Sequence, residues 1–341
     1  MNHFARLFVT ASLVQFIFPP LTAKAWDAIG HMLVTNVAAE HLTPLARQKA
    51  DALAQQIDFP GRSYDFITLA CWMDDIRTKR EDVPFHGQFT NWHYIDMGVA
   101  NDDPPAEFTA KDLGNPKEGN VVQALNRAVA VLRGGTDPLI KSPAMALAMI
   151  EHLVGDIHQP LHCASYYFPD PSSKEKSTDQ GGNLVIITNS IKEPAPGQKP
   201  RNYPTHYVLH YFWDAAYKAR FKDSNVVIDP PKDYDSPHLL DDVKPYLFGI
   251  NDYLPASPVA QQADFAAWAM ETNKLAREKI YGTLPFDPTH KNTSLSAEYV
   301  HSSQELARQQ IVLAGLRLAN LLNQLLDPEH AAPVTSAQPN S

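Results

Sequence analysis

The chain holds only two cysteines in 341 residues, Cys71 and Cys163. So few exclude a fold stapled by many disulfides, and leave either one bridge or two buried free thiols. After the N-terminal apolar run, no segment reaches the roughly 20 apolar residues that a membrane-spanning helix needs. No repeat and no linker-like stretch divides the chain. Positive charge is scarce, with 29 Lys and Arg against 38 Asp and Glu and a formal charge of −9. That balance argues against a protein that grips duplex DNA along its phosphates, which needs a basic stripe.

What is present starts at the N-terminus. "MNHFARLFVTASLVQFIFPPLTAKA" has a basic residue early (Arg6), then an apolar core, then Ala23-Lys24-Ala25. This is the pattern of a cleaved signal peptide over residues 1–25. Pro19 and Pro20 interrupt the run and argue against a membrane anchor. A secreted or periplasmic protein starting at Trp26 is expected, with no membrane association and no obligate protein partner evident. Losing Arg6 and Lys24 makes the mature chain more acidic still. Any anionic substrate must then meet a local positive centre, which metal ions can supply.

Helical periodicity dominates the remainder. Helices are expected over Trp26–Leu42, after Thr43-Pro44, over Ser63–Lys79, Gly119–Gly135, Ser142–Gln159, Thr205–Phe221, Gln261–Tyr281 and Ser296–Leu326. Thr43-Pro44 and Ser142-Pro143 are N-cap and N1 pairs. "GGNLVIIT" is β-branched and reads as a strand of a small hairpin. Loops at 101–119, 168–180 and 192–204 are Pro-containing, and the tail 327–341 reads as disordered. The expected fold is mainly α, one helical domain over 26–326.

The chemistry lies in the 14 histidines. In "EHLVGDIHQPLH", His152 and Asp156 are four apart and share a helix face. Pro160 ends the helix, and His162 can turn back toward the same pocket. "LHYFWD" repeats the spacing with His210 and Asp214. Histidine with carboxylate is a zinc ligand set. Spacing alone is weak evidence, because His238 and Asp242 repeat it after a Ser-Pro helix start, where acids have local reasons to occur. His206 competes with His210 on the same face. His158 lies off the His152–Asp156 face and reads as a packing residue.

Order along the chain adds what spacing lacks. "WDAIGH", "WMDDIR", "NWHYID", "HLVGDIHQPLH", "GGN" and "LHYFWD" follow one another. Together they resemble the single-strand-specific zinc nucleases, the S1/P1 family, of the zinc phospholipase C superfamily. The resemblance implies a trinuclear zinc cleft. Trp26, through its free amine and carbonyl, would join His31 and Asp156 on one ion. Asp74, His93, His152 and the bridging Asp156 would hold a second, and His162, His210 and Asp214 a third. It also implies that Arg77 stabilises charge on the phosphate, with a surface arginine paired to Asp74 or Asp75 as the plain alternative. Tyr94 would stack on a base whose edge Asp96 reads. The implied activity is hydrolysis of single-stranded RNA and DNA to 5′-phosphorylated products, with removal of 3′-phosphates from nucleotides. One departure is Val208-Leu209 before His210, where the family often has Asn-Leu. A phospholipase C on the same scaffold and a non-catalytic zinc-binding exported protein are the rival readings.

Overall fold

The computed structural model describes residues 26–99, 119–168, 177–191, 206–228, 239–257, 259–260, 262–287 and 291–331. The leader, most of the Pro-containing loops, His238 and the end of the tail lie outside the described residues. Within them the fold is mainly α, as expected.

Its helices are α1 (Ala28–His41), α2 (Pro44–Ala54), α3 (Trp72–Asp75), α4 (Val121–Leu132), α5 (Pro143–Asp156), α6 (Leu209–Asp214), α7 (Leu239–Leu247), α8 (Phe265–Leu275) and α9 (Ala297–Leu326). Local chemistry sets their starts. Asp27, Thr43, Asn120, Ser142, Asp264 and Ser296 each accept a backbone N–H as N-caps of α1, α2, α4, α5, α8 and α9. α5 is buried continuously from Ala144 to Asp156. It is apolar on every side except where Glu151, His152 and Asp156 interrupt, so it forms the central rod of the molecule. α1 lies beside it, and the 30-residue α9 packs along α1 more extensively than any other helix pair. Gly315 permits that approach, because a Cβ there would stand 2.5 Å from Val37 Cβ and 2.8 Å from the Val34 carbonyl oxygen.

Three expectations need correction. Residues 63–79 do not form one long helix. A 3-10 turn at Thr68–Cys71 leads into the single-turn α3. The Asp65 carboxylate accepts from both Thr68 N and Thr68 Oγ1, which starts a tight turn there. Second, the helix expected to reach Phe221 stops at Asp214. A 3-10 turn, Ala216–Lys218, follows, and then a strand. Third, "GGNLVIIT" contributes only the strand Ile186–Ile187, which pairs in parallel with Asn292–Thr293 rather than folding into a hairpin. A hairpin forms instead between Arg220–Lys222 and Asn225–Val227. Asp223 and Ser224 both have positive φ there, as a tight two-residue turn demands. The two cysteines are free and buried.

Isolated-helix propensity favours Gly315→Ala by about 1 kcal/mol. The closeness of Val37 predicts the opposite sign, a melting temperature lowered by several degrees from overpacking of roughly 1–3 kcal/mol. Thermal unfolding followed by circular dichroism reads the sign, and an unchanged or raised midpoint would mean that α1 and α9 can separate without cost.

Candidate metal centre

The site forms where α1, α5, α6 and two short turns converge. The Asp27 cap sets the start of α1 so that His31 points at α5 one turn later. On α5, His152 and Asp156 are one turn apart on one face. Between them lies Gly155, where a Cβ would sit 2.8 Å from His31 Nδ1. Its absence lets the His31 and His152 rings stack at 3.9 Å between centroids. A 3-10 turn at Thr90–His93 supplies His93, and a second at Pro160–His162 reverses the chain after α5 and returns His162.

The Asp156 carboxylate is the meeting point. Its Oδ1 lies 3.4 Å from His31 Nε2. Its Oδ2 lies 3.0 Å from His93 Nδ1 and 3.3 Å from His152 Nε2. Asp74, on α3, is bound by Arg77 at 3.3 Å. Three buried groups each bring their donor atoms within 4.8 Å of one another: His31 with His152 and Asp156; Asp74 with His93 and His152; His162 with His210 and Asp214.

Backbone carbonyls fix the ring tautomers. His152 Nδ1 lies 2.7 Å from the Ala70 carbonyl, His162 Nδ1 2.7 Å from that of His93, and His210 Nδ1 2.6 Å from that of Gly181. A carbonyl only accepts, so each Nδ1 carries the proton and each neutral ring offers a lone pair at Nε2. His162 Nε2 and His210 Nε2 then face each other at 3.1 Å, with Asp214 Oδ1 3.6 Å from the latter. Two such nitrogens and a carboxylate converging in a dry interior make a donor set suited to a shared cation. Imidazole held by a carbonyl behind it is also the usual second layer of a metal site. Asp74 Oδ2, His93 Nε2 and Asp156 Oδ1 are buried without a hydrogen bond from the protein. The donor set therefore fits metal ions, and its nitrogen and carboxylate composition suits zinc.

The electrostatics agree. Burial pushes Asp156 up to about 6 and Asp214 well above the usual carboxylate range. Burial, with His152 beside it, holds His93 well below the usual imidazole value. Burial would lower His152 too, but the Asp156 carboxylate outweighs it and raises that ring. A cation held beside them would draw both groups back toward the carboxylate form.

Trp26 is fully buried at the edge of this cluster. Its indole N–H donates to the Gly155 carbonyl at 2.9 Å, so only its backbone is left to face a metal. Arg77 is buried at Asp74, which joins the two readings of it: an ion-pair partner that is also at the site. Tyr94 is half-buried, with its hydroxyl on Asn91, and Asp96 is solvent-exposed and accepts from Ser165 Oγ at 2.7 Å. Both alternate with buried Ile95 and Met97 on an extended segment that Ile95 N ties to the His162 carbonyl.

The competing histidines fall elsewhere. His206 bonds the Ser190 carbonyl. His158 is buried between the Val154 carbonyl and Arg317, and burial lowers it to about 3. One contributor had been given no role: Gln159, whose amide donates to Asp214 Oδ1 at 2.8 Å. It stands inside "DIHQPLH", but nothing in its spacing reveals a partner 55 residues away.

The model of the S1/P1 Nuclease family matches residues 26–327. The chain belongs to the S1/P1 nuclease family. Among its relatives, Nuclease P1 of Penicillium citrinum is 24% identical over 320 residues, covering 90% of this chain and 100% of its own length. Nuclease S1 of Aspergillus oryzae is 22% identical over 323 residues, covering 87% and 91%. Endonuclease 1 of Arabidopsis thaliana is 25% identical over 325 residues, covering 91% and 90%. Membership makes the chain a phosphodiester-hydrolysing nuclease acting on nucleic acid. The family is zinc-dependent in general, and the clusters described above are suited to metal. Among the described residues, no helix is long and apolar enough to cross a membrane.

Gly155→Ala forces a methyl against the His31 ring. The variant is expected to fold yet lose metal and activity by about 10–100-fold, the scale of a disturbed ligand shell. Bound zinc by elemental analysis and nuclease rate check it; parent values for both would mean the ring can move aside freely.

Proposed function

We propose that the protein is an exported, zinc-dependent endonuclease that cleaves single-stranded RNA and DNA to 5′-phosphorylated products and removes 3′-phosphates from nucleotides. The observation that carries this reading is the His162–His210 approach at 3.1 Å beside Asp214, with the Asp156 convergence next to it. In this reading His162, His210 and Asp214 hold one zinc. Asp74, His93, His152 and Asp156 hold a second. Trp26 (through its terminal amine and carbonyl), His31 and Asp156 hold a third. Bound there, the ions polarise the phosphodiester and lower the pKa of water toward ~7.

The remaining steps belong to the chain. Asp156, with His31 near one oxygen and His93 and His152 near the other, holds its neighbours at one fixed separation. Arg77 keeps a positive charge at the Asp74 edge, where a phosphate oxygen gains charge in the transition state. Tyr94 offers a face for base stacking, worth roughly 1–3 kcal/mol per base and tolerant of sequence. Asp96 accepts hydrogen bonds from a base edge. A stacked pair in a duplex hides both features, which favours single strands.

Three outcomes are expected. The parent enzyme retains three zincs per chain at neutral pH and cuts single-stranded far faster than duplex substrate. Asp156→Asn loses turnover by at least three orders of magnitude, whereas His206→Asn keeps most of it; equal losses would misplace the site. Because ligation needs neutral imidazoles, zinc should leave as pH falls through the histidine range near ~6.5.

Separately, one residue added before Trp26 turns its amine into an amide, a poor ligand. Such a protein should fold, hold fewer zincs and remain largely inactive until trimmed. Full zinc content and full rate in the extended protein would remove Trp26 from the ligand set.

A further inference from the structure

Trp26 is followed by a residue with four separate attachments. The Asp27 backbone N–H donates to the Asp214 carbonyl at 2.9 Å. Asp27 Oδ1 accepts from Gly30 N at 3.0 Å and from the Tyr217 hydroxyl at 2.6 Å. Asp27 Oδ2 pairs with Lys218 Nζ at 2.5 Å. The Lys218 side chain is 2% exposed and the Asp27 side chain 19%. A buried ammonium is costly without a paired carboxylate, and Asp27 is the ion-pair partner of Lys218. Tyr217 and Lys218 sit on the 3-10 turn that directly follows α6 and its Asp214.

The consequence is mechanical. His31 and Trp26 lie at the N-terminal end of α1. Asp214 lies 188 positions beyond Trp26 in "LHYFWD". Asp27 joins these two ends directly, through its N–H to the Asp214 carbonyl. A cap alone requires only the Gly30 bond, and Asn or Ser would provide it. The ion pair to a buried lysine and the phenol bond exceed what capping needs. Gly30 lacks a side chain where a Cβ would stand 2.7 Å from Trp26 Cβ and 3.3 Å from Tyr217 Cε1, so the same turn is pressed against both.

We infer that Asp27 is a positioning residue that sets the Trp26 backbone against Asp214, with Lys218 and Tyr217 as its anchors, and so couples metal binding at the two ends of the cleft. This rests on the reading above in which Trp26 and Asp214 are ligands. It makes no demand on substrate.

The test uses the full chain, processed by the host that exports it, and zinc alone as the probe. Parent, Asp27→Asn, Asp27→Ala and the double variant Asp27→Asn/Lys218→Met are dialysed against a series of buffered free-zinc concentrations. Bound zinc is counted, and melting is recorded with zinc and with EDTA. Asp27→Asn keeps the cap but strands the lysine charge. It is expected to bind its weakest zincs 10–100-fold less tightly, the scale seen when a ligand's outer partner is lost. Asp27→Ala should do the same, and the double variant, with no buried charge left unpaired but the Lys218 anchor absent, should regain melting temperature in EDTA without regaining zinc affinity. The zinc-induced rise in melting temperature should shrink in all three variants, and full zinc affinity in the double variant would also overturn the inference. A merely structural role predicts otherwise: lower melting in EDTA and in zinc alike, with parent zinc affinity, and that result overturns the inference. Should Asp27→Ala fail to fold, Asp27→Asn decides. A parent that binds no zinc overturns the ligand reading and this inference together, whereas three zincs in the parent and three of equal affinity in Asp27→Asn overturn only the inference.

Discussion

The carboxylate of Asp156 is the constraint on which the structure turns. It is fully buried, three imidazoles from three separate segments approach it, and it stands at the end of the most buried helix in the protein. An acid so placed is costly. Taking an ion from water into a protein interior costs several kcal/mol even after relaxation. A shape that brings α1, α5 and the 90–93 turn together there pays that cost only because cation binding offsets it.

The packing around Asp156 shows how that convergence is enforced. Gly155 and Gly315 each let a neighbouring helix approach α1 closely. The first lets the His31 ring lie against α5, and the second lets α9 press α1 toward it. The α9 helix makes no ligand of its own, yet it holds the element that carries His31. Three carbonyls, from Ala70, His93 and Gly181, then lock the imidazoles, so that the ring nitrogens left over point at one another. The Gly181 carbonyl is available because Gly181 and Gly182 adopt left-handed backbone conformations, φ +61° and +82°. That requirement displaces the start of the strand that the β-branched run there implies, leaving only Ile186–Ile187 extended.

The acidic chain and its anionic substrate are reconciled by the same centre. The overall acidity argues against steering of nucleic acid by a broad basic surface. Under the proposed function, attraction is short-ranged and comes from a cleft in which bound cations would outweigh the carboxylates, with Arg77 at its edge. Such a cleft would favour single strands, which reach its floor more easily than a stiff duplex.

The sequence by itself determined much of this. Caps at Thr43 and Ser142 located two helices, because an N-cap needs only its own next three residues. The i, i+4 pairs His152–Asp156 and His210–Asp214 were legible for the same local reason, and the order of the short motifs named the family. What tertiary structure decided was everything set by partners distant in sequence. The 63–79 segment carries helical periodicity, but the Asp65–Thr68 turn and the docking of Ala70 onto His152 break it. His206 and His210 share one face by spacing. They part only because His210 lands against Gly181 and His162, while His206 lands against Ser190. Gln159, Gly155 and Asp27 carry no signal in their neighbours. Their roles exist only at distances of 2.6–2.9 Å from residues many turns of chain away, which periodicity cannot encode because it describes one element at a time.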